Sequence, residues 1–162
     1  MAINKLVLDS FEVDAFYLCA IHASLPSYKM AFLLNRQLEL KFSRVKNDVE
    51  VLTPKNIEIY PRYVFEDDQN YTTFTLVKNK CLIYEEISIE NTDLFAESIT
   101  QQTTKNLIPE LKSVDYFLKI ETHNFNYSLK LLISKILKIT QVITAFAVDY
   151  ETIKSKNNLI FE

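Results

Sequence analysis

The sequence predicts an α+β fold, a two-layer sandwich whose mostly antiparallel sheet carries its helices on one face. Three observations point there. The chain contains an internal repeat, its strand-like segments alternate apolar and polar residues, and one segment of each copy spaces its apolar residues for a helix.

The repeat sets the organisation. At an offset of 101, Val13, Asp14, Phe16 and His22 align with Val114, Asp115, Phe117 and His123. At the same offset Asp48, Glu50, Asn56 and Ile59 align with Asp149, Glu151, Asn157 and Ile160. Between these blocks the offset is 99, where Tyr28, Met30, Leu33 and Leu34 meet Tyr127, Leu129, Leu132 and Ile133. The indels fall in loops flanking a predicted helix, where divergence of one structural unit is tolerated. The expected organisation is a single domain over residues 1–162. A β-α-β-β copy occupies about 13–60, a connecting hairpin and helix 61–107, and a second copy about 114–161. The copies are expected to be mates across a pseudo-twofold axis, with ferredoxin-like or ACT-like packing as the nearest analogy.

The first strand of copy one, at 13–22, is apolar on both faces, which suits a central or twice-covered strand. Ser24 and Pro26 then open a helix. In copy two the strand at 114–122 leads to a helix with Leu129, Leu132, Ile133, Ile136 and Leu137 on one stripe, capped by Asn124 or Asn126. Second strands are expected at 41–49 and 141–149, each running into an Asp-x-Glu turn, and third strands at 57–65 and 158–161. Between the copies, 60–65 and 71–78 flank the acidic turn Glu66-Asp67-Asp68-Gln69-Asn70, and 81–89 reads as a strand. Residues 92–106 read as a helix, with Asn91 or Thr92 as cap and Leu94, Phe95 and Ile99 as its stripe.

Composition narrows the function. With 48% apolar and 24% charged residues the chain is globular, and 162 residues bury a sufficient core without disulfides or metals. A net charge of −3 argues against a dedicated nucleic-acid binder. The charge is uneven, with 3 cations against 8 anions over 61–100 and 8 against 6 over 101–162, which reads either as two solvated surfaces or as a means for two molecules to orient against each other in a homo-oligomer. There is no glycine, which removes the phosphate-binding loop, the dinucleotide fingerprint and the Gly-x-Ser-x-Gly elbow. Left-handed backbone positions are expected to fall to some of the 12 asparagines, among them Asn47, Asn56, Asn70, Asn79, Asn91 and Asn157.

The two cysteines, Cys19 and Cys81, suit a reducing compartment. The first apolar stretch follows Asp9, Glu12 and Asp14 instead of a basic lead-in, so it does not read as a signal peptide, and no apolar run is long enough for a bilayer. The expected location is cytoplasmic.

Candidate chemistry is sparse. His22 and His123 are the only histidines and occupy equivalent strand ends, so they can form a paired metal or acid–base site. Two imidazoles fall short of the three or four protein ligands zinc takes, and the bland reading is a pair of strand-end histidines bonded to loops. Asp48 with Glu50, and Asp149 with Glu151, are either a duplicated cation site or turn carboxylates that accept backbone N–H groups. Lys130, Lys135 and Lys138 form a basic helix face that serves solvent or nucleic acid. No cofactor is expected.

Ile108-Pro109-Glu110, three residues, then Val114-Asp115-Tyr116 resembles the signature of the IPExxxVDY family, small bacterial proteins of about this length. The resemblance implies that the family pattern covers nearly the whole chain; it brings no activity or catalytic residue with it. Physically the motif is a junction. Pro109 suits a helical first turn, Glu110 complements its dipole, and Val114 and Tyr116 enter the next strand.

The leading expectation is a non-enzymatic binding or assembly module for a protein partner or small molecule. The alternatives are a metal-assisted or acid–base enzyme built on His22 and His123, and an RNA- or ribosome-associated protein using the Lys130–Lys138 face.

Overall fold

Apolar residues on both sides of a strand drive it into the interior of a sheet, and β1 (Phe16–His22) is an interior strand, one place in from an edge. The computed structural model describes residues 16–87, 99–124 and 126–161. Strand β1 pairs antiparallel with β9 (Tyr116–Thr122) on one side and β10 (Thr144–Val148) on the other. Beyond β9 come β6 (Thr72–Lys78), β5 (Arg62–Asp67) and β2 (Ser43–Arg44). The six-stranded order is β10-β1-β9-β6-β5-β2, antiparallel throughout. Two hairpins stand apart from this sheet: β3 (Val49–Leu52) with β4 (Ile57–Tyr60), and β7 (Lys80–Ile87) with β8 (Ile99–Asn106). Helix α1 (Ser27–Leu38) follows β1 and α2 (Leu129–Ile136) follows β9. The protein is therefore a mixed α+β fold with a mostly antiparallel sheet and two helices. No helix among the described residues is long and apolar enough to cross a membrane.

Side chains alternate across a strand, so β1 feeds two cores. Cys19 and Ile21 join Leu118, Ile120 and Leu76 under the helices, where Met30 and Leu34 of α1 and Leu132 and Ile136 of α2 pack down. Phe16, Leu18 and Ala20 join Phe117 and Val77 on the opposite face. Among the described residues that face is closed by loops, hairpin residues and short 3₁₀ segments instead of an α-helix, through Tyr60, Leu107, Ile108, Val114, Ile153 and Leu159. Burying a side chain such as Leu34 contributes about 2 kcal/mol.

Local chemistry sets the helix ends. Helix α1 starts after Pro26, and α2 starts one residue after Ser128, whose hydroxyl accepts from the Leu131 N–H. Ser128 thus does the capping expected of Asn124 or Asn126; Asn124 instead accepts from the Asn126 N–H. Among the described residues positive φ falls at Glu39, where α1 ends, and Tyr71, after the β5–β6 turn, and at no asparagine. Asn70 and Asn56 instead donate their side-chain amides, to Asp67 and Glu85, and Asn91 lies outside the described residues.

Several expected elements differ. Of the predicted helix over 92–106, residues 92–98 lie outside the described residues and Ile99–Asn106 is strand β8. The run Thr100-Gln101-Gln102-Thr103-Thr104 carries no apolar stripe for a helix to bury, and its β-branched residues fit the ladder with β7. The expected second strand over 41–49 shrinks to Ser43–Arg44, and Glu50 lies within β3 instead of in a turn. The expected strand at 57–65 is two strands divided at Pro61, which has no N–H for the ladder. No strand forms at 158–161, because Lys156–Leu159 is a 3₁₀ turn whose Asn158 amide donates to the Leu107 carbonyl. Val13 and Asp14, the start of copy one, lie outside the described residues.

Candidate functional site

The two histidines do not meet. β1 and β9 run antiparallel with Phe16 opposite Glu121 and Ile21 opposite Tyr116, so His22 and His123 leave opposite ends of the pair. At about 3.4 Å per residue that is more than about 20 Å. An antiparallel central pair sends equivalent strand ends in opposite directions, which is what separates them. His123 is exposed. His22 is half-buried beside Asp115, with Nδ1 3.9 Å from Oδ2, beyond hydrogen-bond reach.

Asp115 is already committed. Its Oδ2 accepts from the Ala23 N–H at 3.0 Å and its Oδ1 from Lys80 Nζ at 2.6 Å. A carboxylate with both oxygens taken by a backbone donor and an ammonium group is a structural tie, not a free base.

The paired acidic positions are also structural. Arg44 clamps Asp48, with Nε 3.0 Å from Oδ1, and the Arg62 N–H reaches the same oxygen at 3.2 Å. Asp149 accepts from the Glu151 N–H and caps the 3₁₀ turn Tyr150–Thr152. Glu151 pairs with Lys156 at 2.8 Å, which holds its carboxyl below the usual range. Glu50 is exposed on β3. Asp48 follows the edge strand β2 and Asp149 the opposite edge β10, so the sheet keeps them apart. Among the described residues no group of three or more His, Cys, Asp or Glu is placed to hold a metal ion. Lys130, Lys135 and Lys138 are exposed on and just after α2.

The motif Ile108–Tyr116 is a junction organised by one residue that its pattern does not include. Asn79, wholly buried between β6 and β7, donates its side-chain amide to the Leu111 and Val114 carbonyls, both at 2.9 Å, and accepts from the Ile108 N–H at 2.9 Å. Its backbone bonds Asp115 and Leu107. Ile108 and Val114 are buried in the second core. Pro109 begins the 3₁₀ turn Pro109–Leu111, and the Glu110 carboxylate accepts from Ser155 N–H and hydroxyl at 2.8 and 3.1 Å. Burial works against the charge of Glu110, yet backbone donors and Ser155 hold its carboxyl below the usual range. The Tyr116 hydroxyl donates to the Leu25 carbonyl.

Beside this junction lies a cleft of about 400 Å³, between the β3–β4 hairpin and the end of β8. Val51 and Pro109 give it apolar walls, Lys105 and Lys112 line it, and Glu58 stands in it. A second hollow of about 240 Å³ shares Thr53, Glu58 and Lys105 and extends to Glu85. Glu58 is 8% exposed, and its Oε2 accepts from the Tyr60 hydroxyl at 2.7 Å. Burial, and then the neighbouring Glu58 carboxylate, push the Tyr60 phenol far above its ordinary range, so it stays a donor. Among the described residues Lys105 and Lys112 have no ion-pair partner. Only pairing of the two hairpins and the motif turn in space brings these residues together. The one sequence signal for them was Glu58 standing between Ile57 and Ile59, an inward charge on an alternating strand.

Compared with known proteins, the chain matches no family model, no curated protein and no solved structure.

Proposed function

We propose that this chain is a non-enzymatic binding module that seats a small molecule in the cleft between the β3–β4 hairpin, β8 and the Pro109–Lys112 turn. One observation carries the reading: the cleft gathers Lys105, Lys112 and the buried Glu58, none of which has an ion-pair partner among the described residues. Charged residues placed only for solubility stand on convex surface; converging ones in a concavity suit a ligand. The acid–base alternative is less well supported, since Asp115 is spent on structural bonds and His22 has no side-chain partner within hydrogen-bond reach among the described residues.

Membership of the IPExxxVDY family is part of this reading, on the strength of the motif, as is a cytoplasmic location, on the strength of two free thiols. So is descent from a duplicated β-α-β unit. The units β1-α1-β2 and β9-α2-β10 support it, because β1 and β9 pair antiparallel at the centre and β10 lies against β1. In the matching place against β9 stands β6 of the β5–β6 hairpin, which separates β2 from the centre. The sheet order β10-β1-β9-β6 with α1 and α2 supports the ferredoxin-like analogy, with β2–β5 and β7–β8 as insertions in the β-α-β-β-α-β plan.

The test is a thermal-shift screen of the full chain against a library of polar metabolites, with Lys105→Gln/Lys112→Gln as control. A saturable stabilisation that the control loses supports the cleft. Hits that the control retains in full place the binding elsewhere and overturn the reading.

A further inference from the structure

We propose that the cleft selects a small zwitterion of amino-acid size, its cationic nitrogen on Glu58 and its anionic group on Lys105 and Lys112; this rests on the cleft being the ligand seat. The cleft's lining carries both signs of charge. Glu58 is a buried carboxylate that accepts from the neutral Tyr60 hydroxyl, and among the described residues no cation stands within 4 Å of it. A buried charge without a counter-charge is costly, so the site favours a ligand that brings one. Lys105 and Lys112 line the same cleft, as does Thr104. Two cations lining one concavity attract an anion into it. A simple anion satisfies the lysines but meets Glu58. A simple cation satisfies Glu58 but meets the lysines. A molecule with both charges suits both kinds of lining group.

Size agrees. A volume of about 400 Å³ sits at the small end of ligand pockets, which span roughly 300–1,000 Å³. Val51 and Pro109 leave apolar wall for a short side chain. The carboxylate or phosphate end is the shared chemistry, so free amino acids and phosphoethanolamine are both candidates and the test separates them.

The experiment is a thermal-shift titration of the full chain, with ¹⁵N spectra of the Lys105 and Lys112 amides. The probes are the proteinogenic L-amino acids and phosphoethanolamine at about 10 mM, tenfold above a Kd of about 1 mM. Propionate, inorganic phosphate and ethylamine serve as counterparts that carry one sign of charge only. At least one zwitterion should raise Tm by about 3 °C, with the counterparts flat. Glu58→Gln, which keeps an acceptor for Tyr60, and Lys105→Gln/Lys112→Gln should each weaken it about tenfold or more. If Glu58→Gln does not fold, N-acetylation of the best amino acid removes the same charge from the ligand side and should weaken binding likewise. If the N-acetyl compound or inorganic phosphate binds as well as the zwitterion, the cleft remains a ligand seat but the zwitterion assignment is overturned. If no probe moves Tm or the cleft amides, the zwitterion assignment fails, and the library screen alone decides the broader reading.

Discussion

On the helix-bearing face of the sheet, Met30, Ala31, Leu34, Leu132 and Ile136 press apolar side chains onto Cys19, Ile21, Leu118 and Ile120, all supplied by regular elements that satisfy their own backbone groups. On the opposite face Phe16, Leu18, Ala20 and Phe117 are covered by turns, a hairpin and the C-terminal 3₁₀ segments. Irregular chain arrives with unpaired N–H and C=O groups, and each has to be met singly before it can be buried. Asn79, Asn158 and Glu110 do this for Ile108, Leu111, Val114, Leu107 and Ser155. The difference teaches where function can reside. The helix-bearing face keeps a hollow of about 220 Å³ beside Leu38, Phe74 and Leu131, whereas the larger cleft, at Glu58, Lys105 and Lys112, lies in a seam between separate loops and hairpins.

The comparison breaks most visibly at Asn79. Asn79→Ala strands the Ile108 N–H and the Leu111 and Val114 carbonyls in a buried junction, at 1–3 kcal/mol for each group without a substitute, so a loss of about 4 kcal/mol is expected in urea unfolding. A loss under about 1 kcal/mol means that the second face does not depend on this hub. Leu118→Ala cuts the helix-bearing face on the same sheet and should cost about 3 kcal/mol, as a cavity under α1 and α2. Leu118 and Asn79 belong to separate cores, so the double variant should be additive within about 0.5 kcal/mol. A larger coupling would mean that the two faces fail together.

Alkaline pH probes the faces next. Burial pushes the Cys19 thiol up to about 12, against a backbone hydrogen bond with Phe146 that pulls it down, and burial pushes the Tyr127 phenol up to about 12 as well. In the unfolded chain these groups lose their protons earlier, a thiol near pH 8.5 and a phenol near about 10. Between those values and about pH 12 the folded state holds more protons than the unfolded one, so stability falls as pH rises. The contribution is intact below about pH 8. Urea midpoints measured from pH 8 to 11 should decline, and Cys19→Ala should shed part of the decline. A flat profile would put water beside Cys19. Thiol labelling at neutral pH should modify the half-exposed Cys81 well before Cys19.

What could be read from the chain follows the same division. The apolar stripe of α2 and the doubly apolar β1 announce themselves by period, because one buried face per regular element leaves a repeating trace. The histidine pair was legible as a repeat but not as a place, since residues alike in sequence leave opposite ends of an antiparallel pair. Strand β8 was misread as helix because three apolar residues, Leu94, Phe95 and Ile99, suggested a stripe that the threonine run after them does not continue. Asn79 looked like an ordinary turn residue, and nothing local marks it as the hub of a motif about 30 positions away. Lys105 and Lys112 carried no signal, because their meeting with Glu58 is made by tertiary packing between hairpins.

The smallest expected effect tests whether a charge matters on the irregular face. Lys119 is buried on β9, with Nζ 2.7 Å from Glu121 Oε1, 4.6 Å from the Phe16 ring centroid and 5.2 Å from that of Phe161. Cation–π contacts of this kind contribute about 0.5–2 kcal/mol, but desolvating the ammonium group consumes much of that gain. Glu121 is 40% exposed and stays hydrated without its partner. Methionine preserves the stem that packs between the rings, so Lys119→Met should change stability by less than about 1 kcal/mol in urea unfolding. A loss beyond about 2 kcal/mol would show that the charge, and not the packed stem, fastens Phe161 and the C-terminal segment onto the sheet. The second face would then be held by electrostatics as well as hydrogen bonds, a dependence with no counterpart beneath the helices.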